Sequence, residues 1–487
     1  MNILKFLELV RDDPTIRYDG ALDAEFHGFS FPGVPTASDK FFVIMDKGWP
    51  LVARKKYKQG EWTLDETIAF AQRMRVKNYI LPSVLRGAEF TRGANCIYVD
   101  DVHEFIGRAG LAGRRFAAAS NHPLVAITGA AGKSTLKEMI ASAYQWSRPD
   151  EKVLSPGVYH NIFVRAMGEL ARVADYDASI FEMSGGTFDQ FRRRRTAISP
   201  DVAIITNIAE AHTAQLGSAE DVAKQKSQIF NSPAPGSTAI INVDTLYADF
   251  LIQKARSEGW TLALFGESEN ADYRLLDYDA ATQMAHVRVP QGEFSYEISA
   301  PGKHMAYNTL ATLAALRGLG FDDFGPAIES FGQFNALPGR GATETIAVGN
   351  GSLELIDETY NANPASMTAL IEMVSGLKLR DGQRRRVLVL GDMRELGATE
   401  EQLHRDLVPQ LNSARVDRIY LFGKLMSEVQ ALAGRDERFV HDEVRAKLVE
   451  RLASELGPGD IVAFKSSHST GLDKVIAELR SEWKKTQ

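Results

Sequence analysis

The run Gly129-Ala130-Ala131-Gly132-Lys133-Ser134-Thr135 carries the plainest chemistry in this sequence. A β-branched stretch, Leu124–Thr128, leads into it and a helical pattern follows. Glycine and alanine let backbone amides approach a polyphosphate closely, and a helix N-terminus adds its positive dipole end. Lys133 is spaced to reach the β- and γ-phosphates of a nucleoside triphosphate, and the Ser134 hydroxyl suits Mg²⁺. The longer standard spacing needs glycine where Ile127 stands, so this is a shortened G-x-x-G-K-S form. The competing reading is a glycine-rich turn with an exposed lysine, and the strand–loop–helix context weighs against it. Glu182 is the second chemical candidate. It ends the strand-like stretch Ala178–Met183, and strand C-termini in an open α/β sheet converge on the ligand crevice, where a carboxylate can hold Mg²⁺. Taken alone, it is as readily a solvated or capping glutamate. These residues mean "nucleotide" and leave kinase, switch and ligase open.

The elements that must position them follow an α/β rhythm. Apolar runs at Leu124–Thr128, Ala178–Met183, Val202–Thr206 and Ser237–Asn242 alternate with helical stretches, predicting βαβ units and a mainly parallel sheet. Residues near 270–300 alternate like small antiparallel strands. A second α/β series, Leu353–Asp357, Val387–Gly391, Arg418–Gly423 and Asp460–Lys465, has helical stretches at Ala365–Ser375 and Arg445–Glu455, and predicts a smaller doubly wound domain. The first 120 residues read as irregular, with a strand at Lys40–Met45 and a helix over Thr63–Val76.

The chain has 487 residues, 44% hydrophobic and 24% charged, which predicts two to three folded domains with boundaries near 120 and 337. Its formal charge of −7 argues against a broad nucleic-acid surface, and the short runs Arg192–Arg195 and Arg384–Arg386 read as solvated or strand-edge arginines. One cysteine, Cys96, cannot form an internal disulfide. The N-terminus lacks a secretory pattern and no apolar run is long enough to span a bilayer, so a cytoplasmic protein without membrane insertion is expected.

The order of phosphate loop, strand-end glutamate, the TNI..AH run in Thr206–Phe230 and a helix-borne lysine resembles the Mur ligases. The resemblance continues through Ala300–Leu316, Pro338–Gly341, Leu355–Met367, Val387–Gly397 and Phe464–Ser469. The pair D-x-x-YNANP-x-SM and LGDM-x-ELG is most similar to the members that add D-alanyl-D-alanine to UDP-N-acetylmuramoyl-tripeptide. The likeness is good over 121–487 and poor over the first 120 residues.

The resemblance implies an α/β, three-domain Mur ligase architecture. Residues 1–120 would form a divergent acceptor-substrate domain. Residues 121–337 would form a central P-loop, parallel-sheet ATPase domain, and 338–487 a Rossmann-like domain for the incoming amine. It implies ATP and two Mg²⁺ ions as cofactors, with Gly129–Thr135 cradling phosphates and Lys133 and Ser134 at the phosphates and metal. Glu182 and His212 would ligate Mg²⁺. Lys226 would be carbamylated into an anionic ligand, with Lys224 as its competitor. Asn308, sharing a helix face with His304, would approach the base. Arg340 would contact a phosphate, and Asp357 with the Asn361–Asn363 loop would face the nucleotide and ribose. The catalytic set is then Lys133, Glu182, His212, Lys226 and Arg340.

The implied reaction activates a carboxylate as an acyl phosphate that an amine then captures. Its partners would be a small carboxylate acceptor, UDP-linked in the family, and an amino acid or dipeptide, with no nucleic acid and a monomer or weak dimer. The first domain lacks the family's Asp-Ser-Arg segment; the nearest stretch is Phe26–Met45. Ala130-Ala131, Met305 and Lys465-Ser466-Ser467 also depart from its pattern. Two rival readings therefore stand beside cell-wall synthesis: the same chemistry on another acceptor in a specialised pathway, and a nucleotide-binding regulator without turnover.

Overall fold

The computed structural model describes residues 1–31, 40–45, 63–157, 160–194, 196–209, 218–394 and 396–485. His212, Arg195 and residues 32–39 lie outside the described residues. Contacts divide the chain into two compact units, Met1–Ala126 with Arg148–Asp201, and Ile127–Ser147 with Val202–Gln487. Three mostly parallel sheets carry an α/β fold.

In the first unit the expectation of an irregular N-terminus is overturned. Strands Arg17–Asp19, Asn95–Val99, Asn78–Pro82, Phe41–Val43 and Phe29–Ser30 lie side by side in that order, the first pair antiparallel and the rest parallel. They run only two to five residues each, too short for a period to register in sequence. Burial organises them instead: Phe6, Phe26, Phe29, Phe41 and Phe105 form an aromatic cluster, with Phe6 and Phe26 stacked at 3.7 Å. The expected helix forms as Leu64–Arg73, started by a capping box between Thr63 and Glu66.

Helix Val102–Ala119 crosses helix Phe163–Leu170 through a stripe of small residues. A Cβ on Gly110 would come 2.7 Å from the Met167 backbone, and one on Gly113 would come 1.9 Å from the Leu170 carbonyl oxygen. Beyond this crossing, Val153–Leu154 pairs in parallel with Ala178–Glu182, and helix Gly185–Arg194 follows. The first arginine run ends this helix: Arg194 packs over Phe163 and pairs with Glu104 at 2.7 Å.

In the second unit, strands Val202–Ile205, Thr238–Asn242, Thr261–Gly266 and Tyr273–Asp279 are parallel neighbours in chain order. Met284–Val289 and Gly292–Glu297 extend them as the expected antiparallel hairpins. The last sheet has the order Ala342–Val348, Gly351–Glu358, Asp460–Lys465, Arg385–Gly391, Arg418–Phe422, Phe439–Asp442, and only its first pair is antiparallel. An apolar core lies on each face, one including Leu388, Leu390 and Ile371, the other Val387, Val389 and Leu452. Alternate residues of Val387–Leu390 thus serve opposite cores, as a doubly wound sheet requires. In the second arginine run Arg385 pairs with the buried Asp460 at 2.6 Å. No helix among the described residues is long and apolar enough to cross a membrane.

Because Gly113 sits against a carbonyl, Gly113→Ala is expected to destabilise the protein by about 1–3 kcal/mol. Arg115→Ala on the exposed side of the same helix should be nearly neutral. Thermal melts of both variants check this, and equal melting temperatures would contradict the close crossing.

Candidate functional site

The phosphate-loop sequence forms the expected strand, Leu124–Thr128, and helix, Lys133–Ser147. Gly129 has φ 151°, and a Cβ there would come 1.9 Å from the Thr206 hydroxyl, so only glycine fits. Gly132 turns at φ 78° to start the helix. Thr206 donates its hydroxyl to the Ala131 carbonyl at 2.6 Å. Asn207 accepts from the amides of Ala130 and Ala131 on its side-chain oxygen, at 3.0 and 2.9 Å. Lys133 folds back so that Nζ donates to the Gly129 carbonyl at 3.0 Å, while Ser134 is buried in the first turn. The loop is a cradle shaped by absent side chains, and it fits a polyphosphate.

Asn207 is the site residue that sequence reasoning did not single out. Its signal was its place after the strand Val202–Ile205, but only folding brings it beside the phosphate loop. Behind it, Asn242 donates to the Thr206 carbonyl at 3.1 Å, and Thr245 accepts from the Ile208 amide at 2.6 Å. Asp244 is held below the usual carboxylate range: burial opposes this, but hydrogen bonds from Ser268, the Glu267 amide and Tyr307 outweigh it. A cavity of about 390 Å³ is lined by Asn207, Asn242, Asp244 and Thr245 on one side and by Asn363 and Pro364 on the other.

Asn308 and His304 both fall on helix Lys303–Gly318, with different surroundings. Asn308 is buried, with Oδ1 3.5 Å from where a Cβ on Gly132 would stand, so it belongs beside the phosphate loop. His304 turns back over Gly302, where a Cβ would meet its ring at 2.6 Å. Lys226 ends helix Ala219–Lys226 and is 6% exposed, whereas Lys224 forms a solvated pair with Glu220 at 2.7 Å. Of the two competitors, Lys226 is the buried one.

The turn Pro338–Gly341 and the segment after strand Gly351–Glu358 are built together. Asp357 accepts from the Gly339 amide at 2.9 Å on one oxygen, and from the Thr359 amide and hydroxyl at 3.1 and 2.6 Å on the other. One oxygen of Asp357 thus holds the turn and the other holds the segment after its own strand. Tyr360 meets two groups: the Arg340 guanidinium 3.7 Å from its ring centre, and the His468 ring stacked at 5.8 Å. Arg340 Nε is buried with no hydrogen-bond partner among the described residues. Lys465 donates to Glu358 at 2.9 Å and to the Asn361 carbonyl at 3.1 Å. Burial pushes the Glu358 carboxyl up, but Lys465, His304 and Arg340 together outweigh it and hold the group below the usual carboxylate range. The Asn361 side-chain oxygen accepts from the Ala362 amide at 3.0 Å, while Asn363 caps helix Pro364–Gly376.

In the first unit, Glu182 accepts from the Asn161 side chain at 2.8 Å. Among the described residues no three His, Cys, Asp or Glu side chains converge as a metal site.

Residues 127–316 match the Mur ligase middle domain and residues 343–468 the Mur ligase glutamate ligase domain. A UDP-N-acetylmuramoyl-tripeptide–D-alanyl-D-alanine ligase of Bacillus subtilis is 28% identical over 360 residues, 73% of this chain and 75% of that protein. The crystal structure of MurF from Acinetobacter baumannii superposes with a TM-score of 0.76 at 22% identity, covering 99% of this chain and 98% of that one. MurF ligase from Thermotoga maritima in complex with ADP gives 0.70 at 21%, over 92% and 96%. At these identities the solved structures establish the fold.

If Asn207 sets the loop's shape, Asn207→Ala should weaken apparent ATP affinity about ten- to a hundredfold while the protein stays folded. Nucleotide titration by calorimetry checks this, and an unchanged affinity would remove Asn207 from the site.

Proposed function

As the chain belongs to the Mur ligase family and is an ATP-dependent ligase, we propose that it joins D-alanyl-D-alanine to the carboxylate of UDP-N-acetylmuramoyl-tripeptide. Supporting this, the braced phosphate loop and the platform of Arg340, Tyr360 and Asn363 both belong to the second unit, where one cavity is lined by Asn207, which braces the loop, and by Asn363. That cavity is the observation that carries the reading. It joins the strand ends behind the phosphate loop to the YNANP segment, as a nucleotide held between phosphate loop and last sheet requires.

A carboxylate is a poor electrophile, so it must be activated before an amine can capture it. An oxygen of the acceptor carboxylate attacks the γ-phosphorus of ATP, and ADP leaves. The amine nitrogen then attacks the acyl carbon, inorganic phosphate departs, and the nitrogen loses a proton. Lys133 and the loop amides hold the phosphates, and Arg340, with its unpartnered Nε, offsets charge on the transferring group. Mg²⁺ supplies charge neutralisation at the phosphates. We assign Ser134, Glu182, His212 and a carbamylated Lys226 to two ions. Burial of Lys226 supports its choice over the solvated Lys224. Gly129–Thr135, Asn308, Arg340, Asp357 and Asn361 bind the nucleotide, Asp357 by holding the turn that carries Arg340. Residues 1–120 receive the UDP-linked acceptor, 121–337 the ATP and 338–487 the dipeptide, in a cytoplasmic monomer or weak dimer.

The purified chain with ATP, Mg²⁺, UDP-muramoyl-tripeptide and D-alanyl-D-alanine should release ADP only when all are present. Lys133→Ala should lower the rate at least about a thousandfold. No product with this pair, but turnover with another carboxylate, would move the chain to a different acceptor. Separately, ¹³C-bicarbonate should give a carbamate signal in the wild type that Lys226→Ala lacks, and a signal retained in that variant would sink the Lys226 assignment.

A further inference from the structure

The loop after strand Arg385–Gly391 is held at nearly every polar group. The Asp392 amide donates to Phe422, and its carbonyl accepts from the Ser467 amide and the Thr470 hydroxyl, both at 3.1 Å. The Met393 amide donates to His404 Nε2 at 2.9 Å, and the Arg394 amide to the Ser467 hydroxyl at 2.8 Å. His404 is fully buried, and its Nδ1 lies against the Glu400 carbonyl at 2.5 Å. Nδ1 must therefore carry the proton, which leaves Nε2 neutral to accept from Met393.

Asp392 is itself fully buried, with Oδ1 taking the amides of Leu425 and Met426 at 3.0 Å each. Its Oδ2 takes Arg394 Nη2 at 2.9 Å. The Arg394 side chain is nonetheless 43% exposed, and among the described residues Asp392 is its one ion-pair partner. A guanidinium has five donors in a planar fork, and here one Nη2 donor is held by Asp392 while the side chain stays solvent-accessible. This is how a protein presents a cation rather than buries one.

The position is also a ligand position. Arg394 follows the C-terminal end of a parallel strand, where open α/β sheets bind ligands. Ser467, which holds its amide, precedes His468, and His468 stacks on Tyr360, the residue that also carries the Arg340 guanidinium. A continuous run of contacts thus joins Arg394 to the platform assigned to phosphoryl transfer.

We propose that Arg394 is the specificity residue that binds the free carboxylate of the incoming amino acid or dipeptide, with Asp392 and His404 as positioning residues behind it. This rests on the ligase reading above. An amino acid or dipeptide attacking through nitrogen keeps its own carboxylate, and that anion must be matched for the nitrogen to be aimed. A bidentate, charge-assisted contact to a planar fork does this.

Two measurements on the full chain test it. In steady state, wild type should prefer D-alanyl-D-alanine over its C-terminal amide, and Arg394→Leu should raise KM for the acid roughly tenfold or more while leaving that for the amide unchanged. Arg394→Lys should recover part of the preference, which separates charge loss from misfolding. In calorimetry with ADP-saturated protein, the dipeptide should bind wild type and fail to bind Arg394→Leu. Turnover in which wild type treats acid and amide alike, or in which Arg394→Leu weakens both equally, overturns the proposal and leaves the ligase reading intact. Carboxylate-dependent binding lost in Arg394→Leu, without turnover by wild type, supports the proposal while the ligase reading fails. Absence of both overturns both.

Discussion

The second unit depends on a close approach between two strand ends. Gly129 and Thr206 come so near that any side chain at Gly129 would overlap the threonine hydroxyl. That contact allows Thr206 and Asn207 to take three polar groups of the phosphate loop. A loop of small residues has little shape of its own, because alanine and glycine offer nothing to pack. Here its conformation is imposed by the neighbouring strand's polar end. A loop whose shape is fixed in advance lowers the reorganisation cost of phosphoryl transfer, which is where electrostatic catalysis gains most.

The last sheet solves a related problem with aromatic and ionic contacts. Arg340 sits on a turn whose two glycines have positive φ, and such turns drift unless tied down. Asp357 ties the turn from within, and Tyr360 gives the guanidinium a surface, backed in turn by His468. Lys465 and Glu358 neutralise each other beneath it. Loops after three neighbouring strands, ending at Glu358, Lys465 and Gly391, thereby act as one platform. Ser467 links its members, donating its amide to Asp392 and accepting from Arg394. In a parallel sheet these loops emerge at the same end, so topology makes the platform possible and polar contacts make it rigid.

Much of this was legible in the linear chain. Strand Asp460–Lys465 and helix Arg445–Glu455 fall where apolar spacing put them, and the phosphate loop, PGRG and LGDM segments stood out as motifs. Their spacing signals are local, and local patterns survive folding unchanged. The N-terminal sheet was not legible, because its short strands draw their order from a phenylalanine cluster gathered from residues 6 to 105. The preference for Lys226 over Lys224 came from the family pattern alone, and folding adds that the two lysines of one helix differ in what covers them.

Residue order was enough to show a nucleotide loop and, through motifs shared with the Mur ligases, to point to ligase chemistry, since such motifs are written in short local runs. It could not say which side chains hold those motifs in shape. Asn207, Tyr360 and His404 act on segments up to about 80 residues away, and only close packing of the folded chain creates such contacts.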